Sequence, residues 1–91
     1  MLFLCVLMDK PYSNALRMAT RPKHLEHVEA NKSKIVFCGP QLSDDGQTMI
    51  GSMFVFDVPD RAAAEAIVQA DPYTKAGLFE STLIRAFKRH I

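Results

Sequence analysis

The first eight residues, Met1-Leu2-Phe3-Leu4-Cys5-Val6-Leu7-Met8, form an unbroken apolar run with none of the polar alternation of a half-exposed strand. A run of this length predicts a central β-strand covered on both faces. Asp9-Lys10-Pro11 ends it. The chain must therefore build a sheet around this strand and place cover on both sides of it, with 91 residues to do so. That length gives one domain, residues 1–91, and one core. Such a small core needs reinforcement from disulfides, metal, close packing or a second subunit. Cys5 and Cys38 both lie in apolar strand-like runs and form neither a CxxC pair nor a zinc-spaced set, so they read as reduced packing residues. No metal or cofactor is expected, and pairing with a second copy becomes the expected reinforcement.

The remaining segments alternate between helical and strand patterns. Ser13 to Lys32 is helical, in two pieces, with Thr20 capping the second and Pro22 in its first turn. Ile35 to Cys38 predicts a second strand closed by Gly39-Pro40. Asp44-Asp45-Gly46 signals a turn, and Met49 to Val58 a third strand that forms a hairpin with the second. Asp60 caps a helix that runs to Ala70, with Ala63, Ala66, Ile67 and Ala70 on one face. Asp71-Pro72 opens a short extra turn ended by Gly77, and Ser81 to His90 is the fourth strand. The β-α-β-β-α-β order predicts an α+β, ferredoxin-like fold: a four-stranded antiparallel sheet with both helices on one face. The other face then carries exposed hydrophobes, which predicts a homodimer of the α/β sandwich or barrel type.

Eleven Lys and Arg against ten Asp and Glu, with no long basic tract, argue against a nucleic-acid partner. The opening run is too short for a membrane span and lacks the flanks of a signal peptide, so the expectation is no membrane partner and a cytoplasmic location. Six residues stand out as candidates for chemistry. Arg17, Arg21 and His24, spaced by four and three, share one stripe of a continuous helix. Two guanidiniums beside an imidazole suit a small anionic molecule, and the imidazole is an acid or base near neutral pH. The alternative is a solvated basic stripe. Asp71 before Pro72 is either a helix cap or the carboxylate partner of a histidine. Ser52 can hydrogen-bond a ligand or simply fill a strand, and Tyr73 can wall a pocket or pack the core. His27 and His90 read as surface residues.

Taken in order, Asp9-Lys10, Arg17, Arg21-Pro22-Lys23-His24-Leu25, Cys38-Gly39-Pro40, Gly51-Ser52, the alanine-rich helix, Asp71-Pro72-Tyr73, Ala76-Gly77 and Phe87-Lys88 resemble the YCII-related family over nearly the whole chain. The resemblance implies a ferredoxin-like, dimeric protein in which His24 and Asp71 form the active site. The short Gln41 to Thr48 segment leaves little room for a lid and implies an open pocket. The leading functional expectation is a small-molecule enzyme with His24 as general acid or base held by Asp71. Arg17 and Arg21 would attract an anionic or carbonyl-bearing substrate, with Ser52 and Tyr73 also binding it, for proton transfer, elimination or hydrolysis. The alternatives are a ligand-binding or regulatory module that uses the same pocket without turnover and, because the element order is shared, an RNA-binding module.

Overall fold

The computed structural model describes all residues, Met1 to Ile91. Its strands are β1 (Leu2–Asp9), β2 (Ile35–Leu42), β3 (Met49–Asp57) and β4 (Phe79–Phe87). Its helices are α1 (Asn14–Ala30), α2 (Arg61–Ala70) and the short α3 (Pro72–Lys75), with a single 3-10 turn at Lys32–Lys34. The strands form one antiparallel sheet in the order β2-β3-β1-β4, which is the ferredoxin-like α+β arrangement. The apolar β1 is central, as its composition requires.

Register assigns each side chain to a face. Leu7 pairs with Ser52 and Thr82, Cys5 with Phe54 and Ile84, and Phe3 with Phe56 and Ala86. These rows face the helices. Phe3, Cys5, Leu7, Phe54, Phe56 and Ile84 form the core with Ala64, Ile67 and Val68 of α2, and Val28 of α1 packs against it. The opposite face carries Leu4, Val6, Met53, Val55, Leu83, Phe87 and Phe37 with no helix over it, and Phe37 is 54% exposed, Phe87 45% and Leu83 41%. No helix is long and apolar enough to cross a membrane.

Several expectations needed correction. The first helix is one piece, continuous through Pro22. Proline removes one N–H from the helical ladder, but the packing of Arg17 and His24, the two buried residues of α1, holds both halves on the same sheet face. The second strand does not stop at Gly39-Pro40 but runs on to Leu42. As β2 is an edge strand, the missing N–H of Pro40 need not face a partner. The buried stripe of α2 is Ala64, Ile67 and Val68 with Ala63 half-buried, while Ala66 and Ala70 are exposed. The fourth strand begins at Phe79, two residues earlier than its alternation suggested, and ends at Phe87. Cys38 is not a packing residue: it is exposed on the edge strand, whereas Cys5 is buried, and both thiols are free. His27 is not a surface residue either, since its Nε2 lies 2.9 Å from the Ile67 carbonyl and ties α1 to α2.

The local signals at the turns hold. Asp60 caps α2, its carboxylate accepting from the Ala63 N–H at 2.9 Å. Gly46 takes φ +74° in the β2–β3 turn and Gly77 the same value after α3, a conformation that glycine adopts without steric cost. Gly51 is needed for another reason. A Cβ there would lie 2.6 Å from the Leu7 carbonyl oxygen and 2.8 Å from Gln41 Nε2. The Gln41 amide crosses over this glycine to donate to the Leu7 and Ser52 carbonyls, at 3.2 and 2.7 Å.

Candidate active site

Strand alternation and one helical stripe build the site. Odd-numbered residues of β1 face the helices, so Asp9 follows Leu7 onto the covered side at the strand's end, and Ser52 of the neighbouring β3, the partner of Leu7, faces the same way. The α1 stripe passes above them. Arg17 descends from it into a fully buried position, where its Nε donates to Asp9 Oδ2 at 2.7 Å and its Nη2 to Asp9 Oδ1 at 3.1 Å. Nη2 also donates to Ser52 Oγ at 2.8 Å. This forked pair fixes the guanidinium plane. Side-chain exposures of 2% and 6% for Arg17 and Asp9 make it a buried ion pair.

Two turns further along α1, His24 meets the end of α2. Its Nδ1 lies 2.9 Å from Asp71 Oδ1 and 3.0 Å from Oδ2. Asp71 is 1% exposed and also accepts the Tyr73 backbone N–H at 2.9 Å, so it is at once the cap of α3 and the partner of the histidine. The cap and partner readings of Asp71 are therefore not exclusive: the capping bond holds the carboxylate in place for the imidazole. An ionised carboxylate only accepts, which puts a proton on His24 Nδ1 and, in the neutral ring, leaves a lone pair on Nε2. No protein group hydrogen-bonds Nε2.

Tyr73 packs between these two units. Its ring stacks on His24 with centroids 4.0 Å apart and planes at 18°, and Arg17 Cζ sits 4.5 Å from its centroid. Phe54 meets the imidazole edge-on at 6.2 Å. Burial pushes the Tyr73 phenol above its ordinary pKa, against the opposing pull of the Arg17 and Arg21 cations.

Arg17, His24, Ser52, Phe54 and Tyr73 line a cavity of about 210 Å³ with Leu25, Val28, Cys38, Gly39, Pro40 and a half-buried Arg21. The structure thus brings together all six residues singled out from the sequence: Arg17, Arg21, His24, Ser52 and Tyr73 line one pocket, and Asp71 stands behind its wall, bonded to His24. The cavity wall opposite α1 is the extended β2, not the Gln41–Thr48 connection, which closes as a tight turn through the Ser43 N–H to Thr48 carbonyl bond of 2.9 Å. Sequence reasoning missed Asp9 as the arginine's partner and Phe54 as a wall. The signal for Asp9 was parity, since an acid on the covered side of a strand needs a cation. No three His, Cys, Asp or Glu side chains converge in a metal-ligating group.

Comparison with known proteins follows the same outline. The family model of the YCII-related domain matches residues 1–88. Protein YciI of Escherichia coli O6:H1 is 28% identical over 96 aligned positions, covering 98% of each chain. Among solved structures, 5-chloro-2-hydroxyhydroquinone dehydrochlorinase of Burkholderia phenoliruptrix, in complex with 2,5-dihydroxybenzoquinone, superposes with a TM-score of 0.89 at 35% identity, covering 97% of this chain and 94% of its own. An antibiotic biosynthesis monooxygenase shares the fold alone, with a TM-score of 0.52 at 15% identity over 98% of this chain and 100% of its own.

Proposed function

The chain belongs to the YCII-related family, and on that premise we propose that it is a small-molecule enzyme in which His24 and Asp71 act as a general-base pair. One observation carries the reading: a buried imidazole held through Nδ1 by Asp71, with Nε2 unpartnered, in a pocket that also holds a fixed guanidinium and a hydroxyl. Nε2 removes a proton from an acidic O–H, or from a C–H beside a carbonyl. The electron pair left behind moves onto an oxygen, where Arg17 and Ser52 stabilise the negative charge. Where the substrate carries a leaving group conjugated to that oxygen, the same pair of electrons expels it, completing an elimination with the proton on His24 and the leaving group released as an anion.

The 35% identical dehydrochlorinase supports elimination over hydrolysis as the reaction class, with a hydroxylated ring as the kind of substrate. The proposed set is His24 and Asp71 as catalytic residues and Arg17, Arg21, Ser52 and Tyr73 as binding residues. A screen of halogenated hydroquinones and hydroxylated carbonyl compounds, read by halide release and ultraviolet absorbance, tests it. Turnover by the natural chain that is lost in His24→Gln, with the circular dichroism spectrum unchanged, is the expected result. Binding without turnover across the screen refutes the enzymatic reading in favour of a ligand-binding module.

The helix-free sheet face supports a homodimer paired through its apolar rows, with Phe37, Met53, Leu83 and Phe87 at the contact. Sedimentation equilibrium at micromolar concentration should return twice the 10.2 kDa chain mass, and a monomer there refutes the pairing.

A further inference from the structure

The cavity has two unlike ends. Two contacts align α1 with the sheet beneath it: Arg17 bonds Ser52 at 2.8 Å, and the His24 and Phe54 ring centroids lie 6.2 Å apart. The helix and β3 therefore advance together, from Arg17 at Ser52 to His24 at Phe54. Register carries the same direction onto the edge strand, where Pro40 pairs with Ser52 and Cys38 with Phe54. The Ser52 end holds the guanidinium and the hydroxyl. Past His24 the lining side chains are Leu25, Val28, Phe54 and Cys38, none of them charged. The electrostatics follow this division. Arg17 and Arg21 pull the Tyr73 phenol down against burial, whereas burial alone raises the Cys38 thiol. The free hydrogen-bonding positions lie at the polar end and in the middle. Only the Tyr73 hydroxyl is both without a partner and cut off from solvent. Arg17 Nη1 and His24 Nε2, which no protein group hydrogen-bonds either, therefore open onto the cavity that their residues line. An anionic oxygen can reach the first and an acidic proton the second, while the far end offers only apolar burial.

We infer that the pocket takes its substrate in one orientation: a small anion whose charged oxygen sits at Arg17 and Ser52 and whose apolar arm lies between Leu25, Val28, Phe54 and Cys38. The inference rests on the small-anion reading of the pocket, and adds the orientation and the substituent. The carbon that joins the oxygen end to the arm then lies beside His24 Nε2, where the proton is removed. Phe54 and Cys38, side by side on the sheet, set the size of arm that the site accepts.

Linear carboxylates from propanoate to hexanoate share one head and differ only in the arm. Titration followed by nuclear magnetic resonance, at fixed pH and ionic strength, measures their affinities. Each added methylene should tighten binding by about four-fold while the arm is being buried. Ser52→Ala should weaken every member by a common factor and keep the increment per methylene. Cys38→Asn puts a polar group at the arm end, on an exposed position of the edge strand, and should shrink that increment. The thiol gives a second readout in the natural chain. At concentrations that fill the same fraction of sites, hexanoate should slow alkylation of Cys38 by iodoacetamide several-fold more than propanoate does. An affinity that ignores arm length, a Ser52→Ala chain with an altered increment, a Cys38→Asn chain with the natural one, or equal protection by both acids each overturns the inference. Binding of no member of the series by the natural chain overturns the small-anion reading as well, which distinguishes the two failures.

Discussion

Replacing Asp71 separates its two tasks. Asparagine is as good a helix cap as aspartate, so in Asp71→Asn one amide oxygen can keep the Tyr73 N–H bond now made at 2.9 Å. The other position, 3.0 Å from His24 Nδ1 where Oδ2 stands, then becomes an NH2 donor. That donor repels an N–H on Nδ1, which would be left with only the amide oxygen at 2.9 Å that already accepts from the Tyr73 N–H, so the substitution favours the tautomer with its proton on Nε2 and a lone pair on Nδ1 facing the NH2. The proposed base is then blocked while the fold survives. The expected stability loss is about 1 kcal/mol or less, as one hydrogen bond replaces another, against a fall in turnover of about 10³- to 10⁴-fold, the scale of an inverted histidine tautomer. Asp71→Ala is the contrast. It loses the cap bond and so leaves the buried Tyr73 N–H unpaired, at a cost of about 1–3 kcal/mol. Urea unfolding measures the stabilities. Imidazole ¹⁵N chemical shifts report the tautomer directly and need no substrate: Nδ1–H in the natural chain and Nε2–H in Asp71→Asn. An unchanged tautomer, or equal destabilisation by Asn and Ala, refutes the reasoning.

Three further outcomes follow from the geometry. Asp9→Asn leaves the Arg17 guanidinium buried without its counter-charge and should cost about 3–5 kcal/mol in urea unfolding, since both partners are almost fully excluded from solvent; a loss below about 1 kcal/mol would show that solvent reaches the pair. Gly51→Ala drives a Cβ to 2.6 Å from the Leu7 carbonyl and displaces the Gln41 amide, which should lower stability by about 1–3 kcal/mol, and a neutral result would mean that β2 yields without cost. Ellman's reagent should titrate Cys38 in the native protein and Cys5 only after unfolding, because Cys5 is buried and burial pushes its thiol to about 11. The raised Cys5 value also sets a sign for pH: its contribution to stability is complete below the ordinary thiol value of 9.0, and falls as pH rises towards about 11, where the unfolded chain ionises and the native thiol does not.

The apolar run Met1–Met8, the helix signals at Asp60 and Asp71, and the turn glycines Gly46 and Gly77 determined the element order by themselves, and with it the ferredoxin-like topology. These are local effects of burial, capping and backbone freedom, which short stretches of sequence carry in full. The stripe Arg17, Arg21, His24 was equally legible, because helical spacing is local too. Where two rules of comparable strength competed, the sequence left the answer open. Pro22 argues for a break in α1 and Pro40 for the end of β2, yet both elements continue. Burial of Arg17 and His24 outweighs one missing N–H in the helix, and an edge position spares Pro40 the bond it cannot make. Only the tertiary structure decided what the charged groups do. Asp9 and Arg17 are eight residues apart and Arg17 and Ser52 thirty-five, and His24 finds Asp71 forty-seven residues away. No spacing rule reaches that far. Those pairings exist because strand alternation turns Asp9 and Ser52, the partner of Leu7, onto the face under α1, and because α2 delivers Asp71 to the same side of the sheet, where a buried carboxylate or guanidinium without its partner would cost several kcal/mol.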